Sequence, residues 1–153
     1  MSIKVTYRVN RSSASEITAH LLRADAGFEP TLSSRVDIPA YAQKLHDRAV
    51  RFEAWMGEVL VGLVASYCNQ LDGGKAFVSN VSVWSECQGQ GIGGRLMRQC
   101  IEYVRCLEVG QIELEVNKLS LPAIALYQKL GFNMLHETGS TLTMIMKLER
   151  TAV

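Results

Sequence analysis

The segment Gln88-Gly89-Gln90-Gly91-Ile92-Gly93-Gly94-Arg95 packs four glycines into six residues, between a strand-like run and a helical stripe. Glycine inside a helix costs about 1 kcal/mol relative to alanine, so this spacing points to a purpose other than stability. A helix start carries backbone N–H groups without intrahelical partners and a partial positive charge. Without Cβ atoms in the way, a ligand can lie directly on those amides. That chemistry suits phosphate or pyrophosphate. Two patterns compete here. Gly89, Gly91 and Gly94 satisfy the G-x-G-x-x-G dinucleotide fingerprint, with Glu113 and Glu115 downstream at about the expected 20 residues. However, Trp84 to Gln88 intervene between the strand end at Val83 and Gly89, where the fingerprint would follow its strand directly. An antiparallel pattern precedes the motif, and too little chain follows it for an alternating parallel sheet. The second pattern is Q-x-x-G-x-G, formed by Gln88, Gly91 and Gly93.

Read the second way, the segment resembles the pyrophosphate loop of the GNAT superfamily of acetyl-coenzyme A-dependent acyltransferases. Leu114-Glu115-Val116, then Ala123, Ala125-Leu126-Tyr127, Lys129 and Gly131-Phe132, look like that family's second signature. The order of elements is also similar, over nearly the whole chain. The resemblance implies that the amides of Gln88, Gly89, Gln90, Gly91, Ile92, Gly93 and Gly94 hold the coenzyme A pyrophosphate. It implies that the pantetheine arm pairs with the strand carrying Val81, Ser82 and Val83, where a backbone N–H faces the thioester oxygen. Tyr127 matches the family tyrosine that protonates the departing thiolate. A phenol of ordinary pKa, about 10, stays protonated at neutral pH and can donate.

Two positions depart from the family pattern. Ser120 stands where relatives often have an asparagine reaching the coenzyme, and Asn117 nearby is the candidate to compensate. The strand before the loop reads Val78-Ser79-Asn80-Val81, with no acid. Asn80 can orient a water or substrate but cannot usefully accept a proton. A base would then be Glu115, or Glu86 through water, or the amine arrives already neutral, which fits an amino sugar or another low-pKa amine. Phe28, Arg35 and Tyr41, from the N-terminal helix pair and its loop, are candidates for the acceptor site, with Trp84 over its mouth. Arg35 suits an acceptor bearing phosphate or carboxylate.

The elements that position these groups follow from periodicity. Ile3 to Val9 alternates as a half-buried strand. Ser12 or Ser13 opens a helix to about Asp25, and Asp37 with Pro39 opens a second. Val50, Phe52 and Ala54 alternate with charged residues, Val59 to Tyr67 returns, and Ala76 to Val83 follows a turn at Leu71 to Gly74. Leu96, Met97, Cys100, Ile101, Val104 and Leu107 make a helical stripe. Ile112 to Val116 is a strand, and Ser120 caps a helix with Pro122 in its first turn. Phe132 to His136 and Thr141 to Leu148 form a closing hairpin about Glu137-Thr138-Gly139. The expectation is one mixed α/β domain over residues 1–153, with a mostly antiparallel sheet of about seven strands flanked by about four helices.

A chain of 153 residues buries enough surface to fold without staples. A formal charge of +1 argues against a nucleic-acid partner. No stretch approaches the about 20 apolar residues of a membrane span. The Met1-Ser2-Ile3-Lys4 start lacks a signal-peptide core, so a cytoplasmic location is expected. Cys68, Cys87, Cys100 and Cys106 show no C-x-x-C spacing, so no metal site is expected. Cys87 lies near the loop but has no nearby histidine to activate it as a nucleophile. The expected activity is direct acetyl transfer from acetyl-CoA to a primary amine of a small molecule. The resemblance leaves two alternatives, a protein N-terminal acetyltransferase and a non-catalytic acyl-CoA-binding regulatory domain. It also leaves a homodimer open, since a strand edge or the last hairpin often pairs in this family.

Overall fold

The computed structural model describes residues 4–28, 30–68 and 74–148. Seven strands form a sheet in the order β1-β2-β3-β4-β5-β7-β6. They are β1 (Thr6–Val9), β2 (Val50–Met56), β3 (Val59–Tyr67), β4 (Lys75–Val83), β5 (Gln111–Asn117), β6 (Asn133–Thr138) and β7 (Thr141–Lys147). Every neighbouring pair is antiparallel except β4 and β5. The helices are α1 (Ala14–Ala24), α2 (Ile38–Arg48), α3 (Ile92–Arg105) and α4 (Leu121–Leu130). The mixed α/β expectation holds. Among the described residues no helix is long and apolar enough to cross a membrane.

Alternation along β3 divides the core. Leu63 and Ala65 pack with Ile17 and Leu21 of α1 and Ala42 and Leu45 of α2. Val64, one residue between them, packs with Leu96, Met97 and Cys100 of α3, in the cluster that also holds Tyr127 of α4. Glycine at position 62 permits the close approach of α3, because a Cβ there would stand 3.0 Å from Ile92 Cγ2 and 3.2 Å from Ala54 Cβ.

Helix starts differ in a way that matters later. Ser13 closes a capping box with Glu16 on α1, and Asp37 accepts from Ala40 N on α2. No side chain caps α3 or α4. The expected cap from Ser120 is therefore absent. Asn117 instead turns the chain before α4, its Oδ1 accepting from Leu119 N at 2.8 Å.

Other boundaries shift modestly. The stripe on α3 is buried from Ile92 to Val104, but the helix stops at Arg105, leaving Leu107 beyond it and half-buried. β6 extends to Thr138, so the last turn falls at Gly139, whose φ is +60°, and Ser140. The first strand is seen from Thr6, while Ile3 and the turn residues Leu71 to Gly73 lie outside the described residues.

The larger surprise is β2. Simple alternation puts Arg51 and Glu53 in solvent, yet they are 4% and 0% exposed. The β1–α1 connection folds over that face. Glu53 accepts from Arg11 N and Ser12 N, each at 3.0 Å, from Ser12 Oγ at 2.5 Å, and from Trp55 Nε1 at 3.1 Å. Arg51 Nε lies 3.5 Å from Glu53 and also donates to Ser12 Oγ, while its other nitrogens donate to Ser12 O and His46 O. A buried charge pair survives only when its remaining hydrogen-bonding capacity is met, and here it is. Removing one charge leaves the other stranded. Glu53→Gln is expected to cost about 3 kcal/mol in urea unfolding. Glu102→Gln, which breaks the exposed pair with Arg105, is expected to cost under about 0.5 kcal/mol.

Candidate active site

The parallel register between β4 and β5 runs from Lys75↔Gln111 to Val78↔Leu114 and stops, although both strands continue. On the other side of β4 the partner of Ser66 is Val78 while that of Ala65 is Asn80, so Ser79 is an extra, bulged residue. The bulge bends β4 away from β5, and two cavities open at the parting.

The larger cavity, about 680 Å³, is lined by Val81, Ser82 and Val83 of β4, by Gln88, Gly89 and Gly91 to Gly94, and by one side of α4. Gly89 and Gly91 adopt φ of +83° and +76°, conformations that L side chains rarely adopt. Gly91 is the N-cap of α3, and Ser120 precedes α4. Thus the two helices without side-chain caps both start on this cavity. At α3 the first N–H groups lack intrahelical partners and suit an anion laid across them, whereas at α4 Leu121 N already donates to Leu119 O and Pro122 has no N–H. Gln88 works differently from its neighbours, its Nε2 donating to Val83 O at 3.0 Å and tying the loop to β4. Gln90 is exposed and does not line the cavity, a departure from the expected run of binding residues. Its place in the turn carries it outward.

Two cations on this cavity, Arg98 and Lys129, stand outside the expected set of binding residues, although Lys129 belongs to the second signature. Arg98 had a signal, since it lies four residues after Gly94 and therefore on the same face of α3.

The smaller cavity, about 420 Å³, is lined by Asn80, Glu115, Asn117 and Thr141 with Phe28 and Arg35 from the α1–α2 connection. Arg35 and Glu115 are its charged residues among those described. Nearby Asp25 is engaged by Ser33, whose backbone N–H and hydroxyl both donate to it at 2.7 Å and hold its carboxyl below the usual range. Tyr127, Ser120, Val81 and Phe28 line both cavities. Tyr127 is buried, its ring edge-on to Phe132 at 6.0 Å. Burial pushes its phenol up to about 12, so it is a firm O–H donor near neutrality.

Two acceptor-site candidates lie elsewhere. Tyr41 lines neither cavity; its hydroxyl sits 2.5 Å from Ser79 Oγ and donates to Ser79 O at 3.1 Å, bracing the bulge. Trp84 does not cover the mouth. It stacks on His20 with centroids 6.0 Å apart and carries Arg23 over its ring, 4.4 Å from the centroid. Its Nε1 donates to His20 O, which pins the ring on α1. Glu86 also lines neither cavity and pairs with Arg23. Cys87 is buried against Met56, and burial raises its thiol, the opposite of what a nucleophile needs.

Asn80 belongs to a buried chain that sequence reasoning missed. His20 Nε2 lies 2.8 Å from Ser82 Oγ, which lies 2.8 Å from Asn80 Oδ1. The Ser82 side chain thus faces α1, leaving its backbone to the larger cavity.

A family model described as "Acetyltransferase (GNAT) family" matches residues 16–132. No curated protein matches significantly. Among solved structures, the chain is similar to the ribosomal-protein-S18-alanine N-acetyltransferase of Escherichia coli, with a TM-score of 0.75 and 19% identity over 97% of each chain. It is similar to the PaiA N-acetyltransferase of Thermoplasma acidophilum in complex with coenzyme A, with a TM-score of 0.70 and 14% identity over 93% of this chain and 99% of that one. A Bacillus subtilis acetyltransferase in complex with CoA gives a TM-score of 0.69 and 21% identity, over 95% of this chain and 100% of that one.

Burial lowers the His20 pKa from 6.5 to about 4, and its bond to Leu60 O offsets this only in part. The unfolded chain therefore binds a proton at His20 below about pH 6.5, while the folded chain resists until about pH 4. This contribution is fully present above the unfolded value and is lost as pH falls towards the folded one. Between pH 7 and pH 5 it should remove about 2 kcal/mol of stability. Unfolding free energies from urea titrations of the wild type and His20→Gln should converge by about that amount over the same interval.

Proposed function

Because the chain belongs to the GNAT acetyltransferase family, we propose that it moves an acetyl group from acetyl-CoA to the primary amine of a small anionic molecule. The observation that carries this reading is Tyr127, buried at the junction of two unlike cavities. One cavity offers main-chain donors at the glycine-rich start of α3. The other offers Arg35 and Glu115.

In this reading the amides of Gly89 and Gly91 to Gly94 hold the coenzyme pyrophosphate, with Arg98 and Lys129 adding positive charge. The acyl arm lies along Val81 to Val83, in the gap that β5 leaves. A β4 main-chain N–H then faces the thioester oxygen and stabilises the oxyanion as it forms. The acceptor nitrogen attacks the carbonyl carbon, a C–N bond forms, and the C–S bond breaks. The sulfur takes the Tyr127 proton, and the amine releases its own proton through water to Glu115. Phe28 and Ser120 flank the junction, while Asn117 and Asn80 face the acceptor side. Arg35 pairs with a carboxylate or phosphate on the acceptor. No strong base sits on β4, which favours an amine of low pKa, such as an amino sugar derivative. The modest cavity volume favours a small acceptor over a peptide N-terminus.

The test is thiol release from acetyl-CoA across amines with and without an anionic group. Tyr127→Phe should lower kcat about 100-fold and leave acetyl-CoA affinity within about twofold. Tight acetyl-CoA binding with no turnover on any amine would point to a regulatory domain instead. Arg35→Ala should raise KM about tenfold for anionic acceptors and leave neutral ones little changed.

A further inference from the structure

Four polar groups form a chain beneath α1 and end at the smaller cavity. Leu60 O lies 3.0 Å from His20 Nδ1, and His20 Nε2 lies 2.8 Å from Ser82 Oγ. Ser82 Oγ is 2.8 Å from the amide of Asn80, which lines the cavity. His20 is 1% exposed, and Ser82 and Asn80 are also buried.

The protons in this chain can be counted. A carbonyl only accepts, so His20 Nδ1 must carry a hydrogen. A neutral imidazole then has a bare Nε2, which needs a donor, and Ser82 Oγ–H is the atom in reach. A hydroxyl has one proton. Ser82 cannot also donate to an Asn80 oxygen, so the amide atom facing it must be the NH₂ group. Placing Oδ1 there would require an imidazolium. Burial disfavours that charge. Among the described residues no carboxylate bonds to either ring nitrogen, and the cation Arg23 sits over Trp84, which stacks on the imidazole.

The far side of the Asn80 amide also meets the Tyr41 hydroxyl, a group that can donate to an oxygen. We infer that His20 and Ser82 lock Asn80 with its carbonyl oxygen on the side of Tyr41 and the acceptor cavity, making them positioning residues for the acceptor amine. This rests on the proposed reading of that cavity. The orientation matters chemically. An attacking amine must keep its lone pair free and have its N–H bonds accepted. An outward carbonyl oxygen accepts from such an N–H. An outward NH₂ would donate to the lone pair and tie it up.

Two measurements test this. Long-range ¹H–¹⁵N correlation on ¹⁵N-labelled wild type at neutral pH should show His20 as the Nδ1–H tautomer, assigned by its loss in His20→Gln. An Nε2–H tautomer or an imidazolium overturns the inference, whatever the variants do. In steady-state kinetics, His20→Leu should raise acceptor KM about tenfold, with acetyl-CoA KM within about twofold. His20→Gln, which returns an acceptor oxygen near the Nε2 position, should stay within about threefold of wild type. Equal acceptor KM for His20→Leu and wild type overturns the positioning role. If His20→Leu does not fold, the wild-type spectrum still decides. Absence of acetyl transfer by the wild type overturns the proposed function and the positioning role with it. The spectrum separates that result from a wrong tautomer.

Discussion

Two parallel strands that begin paired and then part create most of what is useful in this molecule. β4 and β5 share four register positions, from Lys75↔Gln111 to Val78↔Leu114, and then diverge at the bulged Ser79. A sheet interior normally leaves no main-chain group unpaired, because an orphaned donor or acceptor is costly. Here that cost is accepted over the last residues of β4. The surrounding packing holds the gap open. Tyr41 braces Ser79 from α2, and α3 closes on β3 through Gly62. The buried Arg51–Glu53 pair ties the chain entering α1 to β2, so the helices on that face are anchored close to the sheet.

The two sides of the gap are furnished by opposite means. The glycine side presents main-chain N–H groups at the start of α3, whereas α1 and α2 have spent theirs on side-chain caps. The other side relies on a cation, a carboxylate and an amide. Tyr127 stands between them, and the same burial that keeps its phenol protonated makes it a donor to either side.

How legible this was in sequence depends on how local each cause is. The glycine segment, the α3 stripe and Tyr127 act within a few residues of themselves, and the succession of strands and helices is readable from periodicity, whereas the sheet order β1-β2-β3-β4-β5-β7-β6 is not. Arg51 and Glu53 were misread because alternation describes one strand, while their burial comes from the β1–α1 connection lying across β2. Trp84 and Tyr41 were assigned to the acceptor site as aromatics near it, but each found a hydrogen-bond acceptor on another element first. His20 sits three residues after Ile17 on the buried face of α1 and gave no sign of its partner, 62 residues away. Gln90 fell inside the motif yet outside the cavity, since a turn with φ of +83° and +76° on either side points it outward.

Main-chain donors have a consequence for how such a chain can change over time. A grip made of peptide N–H groups survives nearly any side-chain replacement that keeps the fold. The constraint falls on backbone shape, at Gly89 and Gly91, rather than on a set of charged residues. The rest of the loop and the helix surface are free to drift. Two proteins could then share this architecture and present the same main-chain donors while having few identical residues left. Divergence would show first in the smaller cavity, whose polar lining is made largely of side chains.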